Sequence, residues 1–158
     1  MKKLIFISLL FSILSLSVSA QKPTKAEKAA QLEQEFQQTR QLIESNHFQF
    51  ELNRVYPQDG QDLSRFNPRG KFVITDSVAK GTLPFFGRAY SLPYGEGGGI
   101  EFDGVMKDQS LKIEHKKKRK ILIYRFSITA KNDTYQISME ISGGGNCSVN
   151  LNSNNRAQ

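Results

Sequence analysis

The chain is poor in the residues that usually do chemistry. Its 158 residues include one cysteine, Cys147, and two histidines, His47 and His115. A single cysteine forbids an intrachain disulfide in any compartment, so the fold must be held by packing. Neither histidine has a Cys, Asp or second His at ligand spacing, which leaves zinc unsupported. No Gly-x-Ser-x-Gly elbow occurs. The glycine cluster at Gly95, Gly97, Gly98 and Gly99 lacks the Gly-Lys-Ser/Thr ending of a phosphate loop, which argues against a nucleotide. No cofactor is implied. Internal repeats and low-complexity tails are absent. After the first 20 residues no apolar run is long enough to span a bilayer.

What is present begins at the N-terminus. Lys2 and Lys3 precede an apolar stretch from Leu4 to Leu16, broken only by serines. Val18-Ser19-Ala20 then supplies small residues at the −3 and −1 positions of a cleavage site. This is the layout of a secretory signal peptide rather than of a membrane anchor. Cleavage after Ala20 would leave Gln21 first, where lipid attachment needs a cysteine. The expected product is periplasmic or secreted, with no stable membrane anchor. Losing Lys2 and Lys3 leaves 20 basic residues against 15 acidic ones, a net +5.

Three segments follow from the patterning: residues 1–20 as signal peptide, 21–46 as an N-terminal helix, and 47–158 as an antiparallel β domain that packs with the helix. Thr24 to Ser45 is rich in good helix formers. Thr24 and Glu27 have capping-box spacing, and Ala29, Leu32, Phe36 and Ile43 form a narrow apolar stripe. From His47 on the period becomes two. Phe48, Phe50 and Leu52 mark one strand, Lys71 to Val78 a second, Ile100 to Met106 a third and Ser110 to His115 a fourth. Leu122, Tyr124, Phe126 and Ile128 alternate with polar residues. So do Tyr135, Ile137, Met139 and Ile141, and then Cys147, Val149 and Leu151. Short turns at Lys131-Asn132-Asp133 and at Gly143-Gly144-Gly145 join them. The pattern predicts a mainly β fold, an antiparallel meander forming a sandwich or a curled barrel-like sheet, with one N-terminal helix.

Two stretches stand out as surfaces. Leu83 to Phe102 combines Pro84 and Pro93, the glycine cluster, and the aromatics Phe85, Phe86, Tyr90 and Tyr94. Those four rings with Arg88 are the candidate ligand-binding residues. They would line a pocket for an apolar or sugar ligand, or plug one end of the sheet, the commoner fate of large aromatics. His115 to Lys120 reads HKKKRK and falls between two strands, as an exposed hairpin turn does. It lacks the interleaved aromatics that nucleic acid would need, so the expectation is a solvated turn and no nucleic-acid partner. Cys147 lies in an alternating pattern and reads as a buried apolar residue.

The Leu83 to Tyr90 run, then Pro93-Tyr94-Gly95 and the glycines before Ile100-Glu101-Phe102, resembles a domain-of-unknown-function family of exported proteins from Bacteroides-type bacteria. The later strand pair and Ser153-Asn154-Asn155-Arg156 resemble it too. That resemblance implies a Gram-negative periplasmic setting and assigns no catalytic residue. Members continue past the Asn-Arg with a further short strand, where this chain ends at Gln158. The expected function is a non-catalytic binding or accessory domain acting on a small ligand or a periplasmic protein. Alternatives are an interaction module using the helix stripe and an unrecognised hydrolase, since catalytic sets are defined by geometry.

Overall fold

The structure, a computed structural model, describes residues 24–56, 69–84, 88–89, 99–116, 119–130, 133–153 and 156–157. It contains helix α1 (Lys25–Glu44) and nine strands: β1 (His47–Glu51), β2 (Lys71–Thr75), β3 (Val78–Leu83), β4 (Arg88–Ala89), β5 (Ile100–Lys116), β6 (Arg119–Thr129), β7 (Thr134–Ser142), β8 (Cys147–Ser153) and β9 (Arg156–Ala157). Seven strands form one sheet in the order β1-β2-β3-β5-β6-β7-β8, every pair antiparallel. The sheet curls into a half-barrel whose edge strands are β1 and β8. β4 and β9 pair separately, Arg88 opposite Ala157. The predicted meander is therefore a single curled sheet, not a two-sheet sandwich.

Alternation sets which face is dry. On β7 the residues Tyr135, Ile137, Met139 and Ile141 are buried, and Gln136 and Glu140 between them are exposed. The β6 partners of those buried residues are Ile128, Phe126, Tyr124 and Leu122, all buried. A one-residue slip would turn every one of these side chains to water, so register follows from burial. The same core includes Phe72 and Ile74 of β2 and Phe102 and Met106 of β5.

The chain divides into two compact units inside α1, at Gln31 and Leu32. In the first, the Thr24 amide donates to Glu27 Oε2 at 2.7 Å and the Glu27 amide to Thr24 Oγ1 at 3.2 Å, which is the expected capping box. In the second, Phe36, Thr39 and Ile43 are buried. Gly143 lets α1 approach closely: a Cβ there would lie 3.2 Å from the Phe36 backbone. Thr39 Oγ1 donates to the Gly143 carbonyl at 2.6 Å. The apolar stripe is only partly used, because Leu32 is 64% exposed.

Two strand expectations need correction. Lys71 to Val78 is not one strand. A tight turn at Asp76-Ser77 ends β2 and starts β3. Asp76 adopts φ 54°, a left-handed conformation that aspartate tolerates better than most residues. Conversely, the third and fourth expected strands are one. β5 runs unbroken from Ile100 to Lys116, with a β-bulge between Lys107 and Ser110. Asp108 takes φ 54° there, and its carboxylate accepts a hydrogen bond from Ser127 Oγ at 2.9 Å. The bulge absorbs one extra residue without ending the strand.

Candidate functional site

The two edge strands border a cleft of about 950 Å³. β1 and the segment after it form one wall, β8 and the turn before it the other, with Leu83, Pro84 and Ile100 between. The floor is apolar. Leu83, Ile100 and Leu151 belong to the core, and Phe50, Cys147 and Val149 pack against it while half-buried. Phe50 is held flat on Phe72, with ring centroids 5.0 Å apart and planes 27° apart. The rim is polar: Gln49, Asn53, Asn146, Ser148, Asn150 and Asn152 carry amides or hydroxyls, and Glu51 and Arg54 add one charge of each sign. An apolar floor under a largely neutral polar rim suits a small amphipathic molecule.

Cys147 is the one nucleophilic atom on this floor. Burial pushes its thiol from 9.0 up to about 12, which leaves it in the unreactive thiol form at neutral pH. A thiol whose pKa is raised by folding stays protonated longer in the native state. Its contribution to stability is therefore complete below about pH 9 and declines as pH rises from 9 toward 12. Alkylation by iodoacetamide at pH 8 is expected to be slow in the folded protein and fast in denaturant. Comparable rates in the two conditions would contradict this burial.

Of the candidate residues read from the sequence, Phe85, Phe86, Tyr90 and Tyr94 lie outside the described residues. So does the side chain of Arg88, whose backbone forms β4. The residues at which that stretch joins the sheet, Leu83, Pro84 and Ile100, line the cleft. The sequence pattern missed Phe50, Val149 and Leu151 as site residues. Each was legible as an inward strand position, but their convergence depends on β1 and β8 being the sheet's two edges.

Elsewhere the chemistry is local. His47 Nδ1 lies 2.8 Å from the Ser45 carbonyl, and Nε2 lies 3.4 Å from Asp76 Oδ1, all at the exposed start of β1. The Ser45 hydroxyl donates to the Leu42 carbonyl, so His47 does not activate it. His115 stands apart, near the far end of β5. Among the described residues no group of three or more His, Cys, Asp or Glu could hold a metal. A groove of about 1000 Å³ on the wet face runs past Glu51, Lys71, Lys80, Glu101 and Asp103. There the Lys80 ammonium is 2.7 Å from Asp103, whose hydrogen bond raises the lysine's pKa. Leu52, Val73 and Ala130 line it as well, so this groove mixes apolar surface with exposed, partly paired charges.

The fold is a curled antiparallel half-barrel with an apolar-floored cleft bordered by its edge strands. The model of a domain of unknown function, DUF4251, matches residues 30–158. The chain belongs to the DUF4251 family. Its fold is similar to the crystal structure, at 1.95 Å resolution, of a DUF4251 family protein from Bacteroides eggerthii DSM 20697. The two share 22% identity and a TM-score of 0.53, over 79% of this chain and 81% of that one. No curated protein matches the sequence.

Proposed function

We propose that this chain is an exported, non-catalytic binding domain that takes an amphipathic small molecule, apolar or sugar, into the seam between β1 and β8. The observation that carries the reading is the cleft itself. Its floor leaves Phe50 and Val149 half-buried, its rim is polar and largely neutral with one carboxylate, Glu51, and one guanidinium, Arg54, and it adjoins Leu83, Pro84 and Ile100 of the aromatic and glycine-rich stretch. Half-buried apolar side chains on a concave surface gain free energy when a ligand removes them from water, about 25 cal/mol per Å². The first 20 residues support export, and the protein recovered from an exporting host is expected to begin at Gln21.

The test uses two probes, the fluorescent fatty acid cis-parinaric acid and a neutral oligosaccharide, maltohexaose. One of them is expected to bind, and Val149→Trp, which fills the floor, is expected to abolish that binding while leaving the far-UV spectrum intact. Failure of both probes, or undiminished binding by the tryptophan variant, would sink the proposal. A second reading rests on the helix. Leu32 and Leu42 are 64% and 50% exposed on α1, an arrangement open to a partner helix. Its mark would be self-association in light scattering.

A further inference from the structure

The main sheet has an odd number of strands. Seven strands lie in the order β1-β2-β3-β5-β6-β7-β8 and every neighbouring pair is antiparallel. Strand direction therefore alternates along the order, and the two edges, β1 and β8, run the same way. They cannot close the half-barrel by pairing antiparallel with each other. One more strand, running opposite to both, restores the alternation. It also brings the count to eight, at which side chains alone fill the interior of a closed barrel.

Both edges offer the backbone groups that such a strand would need. In an antiparallel ladder, residues alternate between turning N–H and C=O toward the neighbouring strand and turning both away. On the β1 side the Leu52 amide donates to the Gly70 carbonyl at 2.9 Å, and the Asp76 amide donates to the Asn46 carbonyl at 2.9 Å. Even-numbered residues of β1 thus face β2, and Gln49 and Glu51 turn their backbone groups away from it, on the cleft side. His47 turns the same way, but its amide already donates to Ser45 Oγ at 3.2 Å. On the β8 side the Ser142 amide donates to the Asn146 carbonyl at 2.9 Å. Even-numbered residues of β8 thus face β7, and Cys147, Val149 and Leu151 turn their backbone groups to the cleft. Among the described residues, none of Gln49, Glu51, Cys147, Val149 and Leu151 has a backbone partner on that side. β8 also lacks charge, proline and any break in register, the usual devices that keep an edge from pairing.

We infer that the seam between β1 and β8 takes an extended polypeptide segment of a partner protein as an eighth strand, antiparallel to both edges. The match is one of charge complementarity: each edge presents the partial positive charge of N–H and the partial negative charge of C=O in series at strand spacing, and another extended backbone carries the complementary series. The side chains agree with a single guest strand. Gln49 and Glu51 lie on the wet face of β1, whereas Cys147, Val149 and Leu151 lie on the dry face of β8. Alternate residues of any strand turn their backbone to opposite sides and their side chains to opposite faces. The guest's polar residues therefore pair with β1, and its apolar residues pair with β8 over the cleft floor. A basic side chain suits one polar position, because Glu51 stands on that face. This occupant is held by the backbone of the walls, independently of the small-molecule reading, which uses the side chains of the floor.

The test is fluorescence anisotropy of a fluorescein-labelled heptapeptide, Lys-Val-Thr-Val-Lys-Val-Thr, titrated with the full protein. Saturable binding is expected. Two further peptides keep every side chain and differ only in backbone. N-methylation of the lysine and threonine amides removes the bonds to β1, and N-methylation of the valine amides removes the bonds to β8. Each should weaken binding by at least about tenfold, since each loses more than one backbone hydrogen bond. On the protein, Gln49→Pro deletes one donor that points into the cleft and leaves the Phe48 and Phe50 amides on the β2 ladder. Proline is tolerated on an edge strand where its N–H would face outward. That variant should bind the parent peptide about fivefold more weakly. If it fails to fold, the two methylated peptides decide. No saturable binding of the parent peptide, undiminished binding of either methylated peptide, or undiminished binding by folded Gln49→Pro each overturns the inference.

Discussion

Gly81→Val is expected to destabilise the domain by about 3 kcal/mol or more, the upper end for a forced insertion. Gly81 lies in β3, between Phe72 on β2 and Phe102 on β5. A Cβ at this position would run into the Phe72 Cβ, and it would lie 2.5 Å from both the Phe72 Cα and the Lys71 carbonyl oxygen. None of these atoms is the end of a flexible side chain, so no rotamer change relieves the overlap. β2 and β3 must separate, and the separation breaks ladder hydrogen bonds in the middle of a sheet. Even Gly81→Ala meets the same atoms and should be nearly as costly. Gly144→Ala is the control: its Cβ would meet nothing closer than 3.9 Å, so its effect should stay within about 0.5 kcal/mol. Urea denaturation of the three variants checks this. A Gly81→Ala protein as stable as the control would show that the strands can yield at little cost.

The features legible in the sequence are those set by short-range rules. The Thr24–Glu27 capping box depends on residues three apart, and it forms as read. The β6–β7–β8 meander depends on period-two alternation, and its inward residues are those the alternation names. Where the reading failed, a local signal was missing or misleading. The turn that separates β2 from β3 uses Asp76-Ser77, without the glycine or asparagine that usually marks a two-residue hairpin, so two strands read as one. The bulge at Asp108 interrupts the alternation, so one strand read as two. Ile123 falls by parity on the wet side of β6, between Lys112 and Glu140 in the register, yet it is only 2% exposed. Parity says which way a residue points and nothing about what long side chains cover it. The cleft was the least legible feature. Its apolar floor joins residues almost a hundred positions apart, Phe50 and Val149, and they meet only because the sheet curls and stops short of closure. The Leu83 to Phe102 stretch drew notice by composition; Leu83, Pro84 and Ile100 of it line the cleft, and its four named aromatics lie outside the described residues.

Phe72→Ala is expected to cost about 3–5 kcal/mol, the range for deleting a buried aromatic ring. Phe72 has no exposed surface. Its ring joins a chain of aromatic contacts: Phe50 at 5.0 Å on one side, Phe102 at 5.8 Å on the other, and Tyr135 a further 6.2 Å beyond Phe102. Removing it leaves a cavity under Phe50, the residue that links the core to the cleft floor. The same variant should therefore weaken binding of whichever probe occupies the cleft, although Phe72 does not line it. A domain of this kind has only about 5–15 kcal/mol in total, so the variant should remain folded only marginally, with a clearly lowered urea midpoint. The double variant with Gly81→Ala separates the role of the ring from that of the backbone. Alanine at 72 keeps the Cβ, the Cα and the neighbouring carbonyl, which are the atoms an added Cβ at 81 would strike. Phe72→Ala should therefore give no rescue of Gly81→Ala, and the double variant should be no more stable than either single one. A double variant more stable than Gly81→Ala alone would mean that the ring, not the strand backbone, requires glycine at position 81.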